Sequence, residues 1–463
     1  MGTTFDVSIR MQTNKHIMIV MKFGGTSLGS PQRMREVAEL IHDGQPKVVV
    51  LSAVAGTTNK LVELASCMYQ GDQTGALDRL EILSHHYQEY VGDLLPAEQW
   101  RSQGLQVLNA SFTTIREQFV PGFSAREENV ILAQGELIST QLFQIYLQSS
   151  GLPSVMLPAL DFMRTNSQGE PDLEWIRERL QILLNSTPPS ICYLTQGYIC
   201  LNAAGEVDNL QRGGSDYTAT LVGAALHARE IQIWTDIDGL HDGDPRLVED
   251  THPVPQLSFR EAAELAYFGA KILHPTCVIP AEEQGVPIRL KNTFAPEAAG
   301  TLIAREASGR TITALAAKDG ITAIRIQSGR MLNAYGFLRR VFEVFEAYRT
   351  PIDMITTSEV SVSLTIDQTA HLEEILRALS EYGELTVDSG QTILCVVGDH
   401  LDQHTAVMRE IFAALEHIPL RMVSYGGSSN NVSILVPFGY KREAMRALHQ
   451  ALFRQEAARP IVE

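Results

Sequence analysis

Cysteine is scarce in this chain: there are five among 463 residues, and no two form a CxxC pair. That speaks against a disulfide frame and a thiolate zinc site. Cys67, Cys192, Cys200, Cys277 and Cys395 read instead as small buried hydrophobes, their thiols reduced in a cytosolic setting. Long apolar runs are missing as well, and none is long enough to span a bilayer. The first sixteen residues, through His16, lack the apolar stretch of a signal peptide and read as a loose extension. Positive charge is the third shortage. With 37 Lys and Arg against 54 Asp and Glu, the formal charge is −17, which speaks against a general binder of nucleic acid, since that role needs a basic footprint. The phosphate-binding pattern GxxxxGK[ST] is absent too, so this is not a P-loop enzyme. An acidic protein that handles anions must gather its few cations locally, which turns attention to single Lys and Arg residues beside glycines.

What is present is ordinary globular material, 44% apolar and 20% charged, in a chain long enough for two or more domains. Ile17–Phe23 (IMIVMKF) reads as a buried strand that ends in Gly24-Gly25. A helix is expected over Pro31–Ile41, capped by Ser30, and a second apolar strand over Lys47–Ala53. Strand, glycine turn, helix and strand make the βαβ unit of a buried parallel sheet. The alternation continues through helices near 60–69, 75–90, 105–118 and 129–148, strands near 154–158, 191–199 and 231–235, and a helix over Tyr217–His227 after a glycine pair. Helices at 262–268 and 276–283 precede a last strand at 288–290. This α/β domain is expected to run from 17 to 305.

Beyond Gly309 the pattern becomes βαββαβ, with strands at 322–327, 353–357, 361–366 and 385–388 and helices at 336–348 and 372–382. That is a ferredoxin-like arrangement. A second round follows over 392–453, so an internal duplication is expected. It has too little chain for its fourth strand, whereas Thr311–Lys318 (TITALAAK) has strand character and no partner. We expect 311–318 to complete the second sheet, so that the two repeats, 306–391 and 392–463, interleave.

Three motifs carry chemistry. Lys22-Phe23-Gly24-Gly25-Thr26-Ser27 closes the first strand; its glycine N–H groups can form an anion nest, and Lys22 can sit beside β/γ-phosphates. Gln211-Arg212-Gly213-Gly214-Ser215-Asp216 opens a helix. Arg212 offers a fork for a carboxylate, Ser215 and the helix N-terminus offer hydrogen bonds, and Asp216 is either a helix cap or a catalytic group. Trp234-Thr235-Asp236-Ile237-Asp238-Gly239-Leu240, with Asp244-Pro245-Arg246 behind it, lies at a strand end, where open α/β sheets bind ligands. An acidic surface loop explains Asp238 and Asp242, but less well Thr235, Asp236 and Arg246. Glu136, in Gly135-Glu136-Leu137, is either a receptor for an ammonium or a solvated helix glutamate. In Phe268-Gly269-Ala270-Lys271-Ile272-Leu273-His274-Pro275, Lys271 alone reads as a partner of a helix C-terminus and His274 as a core histidine.

Taken in order, KFGGTS, SAVAGTTN, GELIST, RGGSDYTAT, WTDIDGL, DPR and FGAKILHP resemble the aspartate kinase family of the amino-acid kinase superfamily, over essentially the whole chain from Lys22. The C-terminal half is similar to that family's pair of ACT domains. The resemblance implies an amino-acid-kinase sandwich with a mostly parallel central sheet, followed by two ferredoxin-like ACT domains. It implies ATP-dependent phosphorylation of L-aspartate, the first step of the lysine, threonine and methionine (diaminopimelate) pathway, in the cytoplasm and with Mg²⁺. By position, Lys22 and Asp216 would be catalytic, and Thr58, Glu136, Arg212, Gly213, Gly214 and Ser215 would bind aspartate. Lys22, Phe23, Gly24, Gly25, Thr235, Asp236, His241, Arg246, Lys271 and Ile272 would hold the nucleotide. Two positions depart from the family pattern: Gln211 replaces a glycine and His241 a tyrosine. No set of protein metal ligands stands out.

The resemblance also implies an amino-acid effector at the repeats, lysine before threonine. Its residues would be Met331, Ala334, Gly336, Phe337, Leu338, Ile352, Asp353, Ser358 and Glu359. A homodimer or larger assembly through the ACT sheets is expected, with neither nucleic acid nor membrane as partner. Two other readings stand beside this one: another amino-acid or carboxylate kinase of the same fold, and a sensor that binds amino acids without catalysis.

Overall fold

The computed structural model describes residues 18–188, 190–210, 213–270, 273–307, 309–329 and 335–453. The chain divides into two compact units, one made of residues up to Leu240 together with Leu273–Arg305, the other of His241–Ile272 and Glu306 onward. The stretch expected as one body over 17–305 is thus split, with 241–272 grouped with the C-terminal half.

In the first unit the strands are β1 (Ile19–Phe23), β2 (Lys47–Leu51), β3 (Val155–Met156), β4 (Cys192–Gln196), β5 (Ile199–Leu201), β6 (Val207–Asn209) and β7 (Glu230–Thr235). After the segment that carries β8 (Gln256–Ser258) come β9 (Ile288–Asn292) and β10 (Thr301–Ala304). The sheet runs β3-β4-β2-β1-β7-β9-β10, parallel from β3 to β9, with β10 antiparallel at the end. β1 and β2 are buried at every residue, which their unbroken apolar runs anticipate for a sheet covered on both faces. The register pairs Phe23 with Leu51 and Trp234, and Leu51 with Gln196. The carboxyl ends of β1, β2, β4 and β7 are therefore level.

The helices are α1 (Pro31–Ile41), α2 (Thr57–Tyr69), α3 (Gln73–Leu94), α4 (Glu98–Glu117), α5 (Ala125–Ser149), α6 (Leu173–Ser186) and α7 (Gly214–Leu226), of which α2 to α5 follow one another between β2 and β3. Ser30 caps α1 by accepting the Arg33 N–H, as its position suggested. α5 starts with a capping box between Ser124 and Glu127 and buries most of its middle, from Ile131 to Ser139. The expected strand 191–199 is broken by Gly197 and Tyr198, the latter at φ 66°. α6 has no counterpart among the expected helices, although Asp172 caps it and Ile176 and Leu180, four residues apart, are its buried face.

The second unit comprises α8 (Phe259–Tyr267) and two ferredoxin-like repeats sharing one sheet. α9 (Pro275–Gln284) returns the chain to the first unit before the repeats begin. Their strands are β11 (Ala314–Gln327), β12 (Ile355–Thr357), β13 (Ser361–Ile366), β14 (Glu384–Val397), β15 (Met422–Ser424) and β16 (Asn431–Pro437), in the order β12-β13-β11-β14-β16-β15. The helices are α10 (Phe337–Ala347), α11 (Leu372–Leu379), α12 (Thr405–Ala414) and α13 (Lys441–Phe453). β11 and β14 are each continuous where two short strands were expected. Ala314–Lys318 pairs with Ile393–Val397, and the rest of β11 pairs with the first part of β14, across a register irregularity between Lys318 and Ala323. Each repeat has its own core. Ile324, Val341, Leu364 and Ile375 belong to one, and Leu394, Ile411, Ile434 and Leu448 to the other.

All five cysteines are buried and unpaired. Among the described residues no helix is long and apolar enough to cross a membrane. Leu394, fully buried in the second core, gives a direct test of that packing. Leu394→Ala is expected to cost about 2–5 kcal/mol, read as a shifted midpoint in urea unfolding.

Candidate active site

Lys22 is the penultimate residue of β1, and its Nζ lies 2.6 Å from Oδ1 of Asp216 in the first turn of α7. The contact is ionic, outside the angles of an aligned hydrogen bond. Asp216 is therefore not the cap of α7. That place belongs to Gly213, whose φ of +83° suits glycine and where a Cβ would fall 2.3 Å from Cys277 Sγ. Helix and strand thus meet through two opposite charges, both largely withdrawn from water.

A cleft of about 340 Å³ opens above the level strand ends. It is lined by Lys22 and Gly25, by the Ser52–Gly56 turn with Thr58 and Asn59, and by Glu136, Tyr198, Gly214 and Ser215. At Gly25 a Cβ would stand 3.0 Å from the Ala53 carbonyl oxygen, so a larger residue would press the two turns apart. Thr58 is half-buried on the first turn of α2.

Glu136 is buried rather than solvated. It projects from the middle of α5, and its Oε1 accepts the Ala53 N–H at 3.3 Å. Oε2 has no hydrogen-bond partner among the described residues. Burial pushes its carboxyl up to about 8, against the pull of the Ala53 N–H and of Lys22. An acid whose proton is held more tightly in the folded state makes that state lose stability as pH rises. In the ligand-free protein this loss spans the window from the ordinary value of 4.5 to about 8. Glu136→Gln is expected to flatten stability across that window and to raise the melting temperature above it, as measured by calorimetry.

The motif residues divide. Phe23 is fully buried and stacks on Trp234 with ring centroids 5.7 Å apart, so its side chain belongs to the core. Of the two glycine donors expected to cradle an anion, the Gly24 N–H is already given to the Trp234 carbonyl at 3.2 Å. Thr235 and Asp236 follow at the end of β7, the Thr235 hydroxyl donating to Asp236 at 3.1 Å. His274, read as a core histidine, caps α9, its Nδ1 accepting the Thr276 N–H. Gln211, Arg212, Lys271, Ile272, Met331 and Ala334 lie outside the described residues.

Tyr198 and Asn59 were missed as cleft residues. Tyr198 had a signal, since the glycine before it, inside an apolar run, marks a break in a strand. Gly197 is required there because a Cβ would meet that of Ser215 at 2.4 Å.

In the second unit, His241 Nδ1 is 3.1 Å from the Thr251 hydroxyl. Arg246 forks onto Asp244, with Nε and Nη2 at 2.9 and 2.8 Å from its two oxygens, and holds that carboxyl below its usual range. Of the effector residues, Gly336 caps α10 at φ +76° and Phe337 is buried, its ring against Tyr382. Leu338 is partly exposed, Ile352 packs on the first repeat's core, Ser358 bonds to Ser361 at 2.8 Å, and Glu359 is exposed. Asp353 is the one with charged partners. Its Oδ1 takes Lys318 Nζ at 2.7 Å and the Tyr267 hydroxyl at 2.9 Å, while Oδ2 is buried with no hydrogen bond among the described residues. Burial pushes the Asp353 carboxyl up, against the attraction of Lys318. Lys318 also contacts Asp367 at 2.9 Å and lies over the Tyr267 ring.

A parallel sheet with a cationic glycine turn and a buried carboxylate at its carboxyl ends is the frame of an enzyme that handles charged small molecules. The model of the amino acid kinase family matches residues 18–292, and that of an ACT domain matches 394–452. The lysine-sensitive aspartokinase 3 of Escherichia coli is 33% identical over 449 residues, covering 94% of this chain and 99% of that protein. Crystal structures of the E. coli aspartokinase III superpose with TM-scores of 0.81, in complex with aspartate and ADP, and 0.77, in complex with lysine and aspartate. Their identities are 34% and 33%; each covers 94% of this chain, with 100% and 99% of the other. The chain belongs to the aspartokinases of the amino acid kinase family.

Proposed function

We propose that this protein transfers the γ-phosphoryl group of ATP to the side-chain carboxylate of L-aspartate, giving 4-phospho-L-aspartate and ADP. The observation that carries the reading is Glu136. A buried carboxylate with one oxygen unpaired among the described residues, in the same cleft as Lys22 and Ser215, is suited to the ammonium of an amino acid. The carboxylate attracts the ammonium, and the ammonium in turn removes the cost of the buried charge. The relative solved with aspartate and ADP supports the same pairing of ligands.

In this reading Arg212 takes the α-carboxylate, while Thr58, Gly213, Gly214 and Ser215 close around the substrate. The side-chain carboxylate is ionised at neutral pH and needs no general base. One of its oxygens forms a bond to the γ-phosphorus as the bond from that phosphorus to the β-bridging oxygen breaks, and ADP leaves. Lys22, with Gly25, stabilises the charge on the transferring group. Asp216 holds the Lys22 ammonium in place until the nucleotide arrives. Thr235, Asp236, His241, Arg246, Lys271 and Ile272 serve the nucleotide. Mg²⁺ would be held chiefly by the ATP phosphates, since no group of carboxylates able to hold a metal ion stands among the described residues, and would neutralise phosphate charge. Residues 17–305 form the catalytic part and 306–391 and 392–463 the two regulatory repeats. The enzyme acts in the cytoplasm as a homodimer or larger, with lysine as its inhibitor.

A coupled assay of ADP release tests this. Turnover should require aspartate and fall by about 10²–10³-fold in Lys22→Ala, the size of effect that loss of one charge-stabilising group produces. Release that persists without aspartate, or only with glutamate, would overturn the assignment. Lysine at millimolar concentration should inhibit the wild type, and Asp353→Asn should relieve that inhibition while leaving turnover without lysine in place. Inhibition by threonine alone would move the effector assignment.

A further inference from the structure

Residues 241–253 form most of the connection between β7 and β8, and with His241 and Arg246 they supply two of the residues read above as nucleotide contacts. Several fixed points of this loop come from α13, a helix of the second repeat, beside those that the loop makes within itself and with β11. Asp242 is 3% exposed, and its Oδ1 lies 3.0 Å from Nε2 of His449, itself 5% exposed. A carboxylate can only accept, so Nε2 carries the hydrogen. The same Oδ1 accepts the His252 N–H at 2.9 Å, and the Asp242 carbonyl accepts the Leu315 N–H at 2.8 Å. One turn earlier on α13, Arg446 donates from Nε to the Leu247 carbonyl at 3.0 Å and from Nη2 to Glu249 at 3.1 Å. Val248 drops between these contacts into the core formed by Ala444, Met445, Leu448 and Leu452.

The spacing is what matters. His241 is followed by Asp242, which His449 grips, and Arg246 is followed by Leu247, which Arg446 grips. These two residues of the loop that would meet the nucleotide thus each stand next to one clamped by the same helix. Gly243 fits the arrangement, since a Cβ there would come within 3.2 Å of the His449 ring. His449 is braced from its other side by Phe453, with ring centroids 4.9 Å apart. Such a clamp has more to do than stabilise: it fixes the backbone that carries both side chains, adding to the bonds of His241 to Thr251 and of Arg246 to Asp244.

We infer that His449 and Arg446 are positioning residues for ATP, and that α13 of the second repeat holds the nucleotide loop in its binding geometry. The inference rests on the reading of His241 and Arg246 as nucleotide contacts. Loss of the clamp weakens ATP binding and leaves the aspartate side of the reaction alone.

The test is made on full-length protein with His449→Ala, His449→Gln, Arg446→Ala and Asp242→Asn. Calorimetric titration with ATP is run beside initial rates. His449→Ala is expected to raise Kd and KM for ATP roughly tenfold, the scale of losing one hydrogen bond to a charged group. kcat at saturating ATP and KM for aspartate should stay within about twofold, since uniform binding alone is lost. His449→Gln, which keeps an N–H donor, should recover most of the ATP affinity. Arg446→Ala, at a half-exposed position, carries the same readout should His449→Ala fail to fold. Unchanged ATP affinity in folded His449→Ala and Arg446→Ala overturns the inference, as does an equal loss in kcat and in affinity for both substrates. Because ATP titration does not need aspartate to be the acceptor, a wild type that binds ATP without aspartate-dependent turnover would fail the proposed function and still decide this point.

Discussion

The ion pair between Lys22 and Asp216 sets the geometry of the first unit's chemistry. It ties the end of the first strand to the first turn of α7, far along the chain, and fixes a cation at the floor of a cleft made of turns. That placement is feasible only because four parallel strands end at one level, so the Gly24-Gly25, Ser52–Gly56 and Gly197-Tyr198 turns face the same space. The helix cannot approach this closely without Gly213, whose backbone no larger residue would adopt at that distance from Cys277. Charge pairing and close packing are therefore one constraint. A shift in the α7 turn would unpair Lys22 and open the cleft together.

Much of the scaffold was legible because its signals are local. The Ile19–Phe23 and Lys47–Leu51 runs, the Ser30 cap and the Lys441–Phe453 helix each follow from a few adjacent residues. The site was legible in part. Residue types and order pointed to Lys22, Glu136, Ser215 and Asp216, but not to their states. Whether Glu136 is solvated or buried depends on α5 passing behind the Ala53 turn, a contact between distant segments that no short window reports. For the same reason Asp216 could be read as a cap, and the Gly24 N–H as a free donor. Both questions are decided by partners elsewhere in the fold, Lys22 for the first and Trp234 for the second.

The two carboxylates read as ligand groups, Glu136 and Asp353, share a physical signature. Each is buried, each has one oxygen engaged and the other unpaired among the described residues, and each has its proton affinity raised by burial. They differ in their standing partners. Glu136 has only a main-chain donor on its engaged oxygen, whereas Asp353 already holds the Lys318 ammonium and the Tyr267 hydroxyl. An amine arriving at Asp353 joins an existing charge network, and one arriving at Glu136 completes an empty half.

β11 and β14 each run without interruption through both ferredoxin-like repeats, so the boundary between the repeats lies inside hydrogen-bonded ladders and not in a linker. The duplication is thus inseparable as built. No cut in the chain releases one repeat with all its strands, because the second takes its outermost sequence from residues that precede the first. Recombination could exchange the pair as a block, or the first repeat as an insert, but not the second repeat alone.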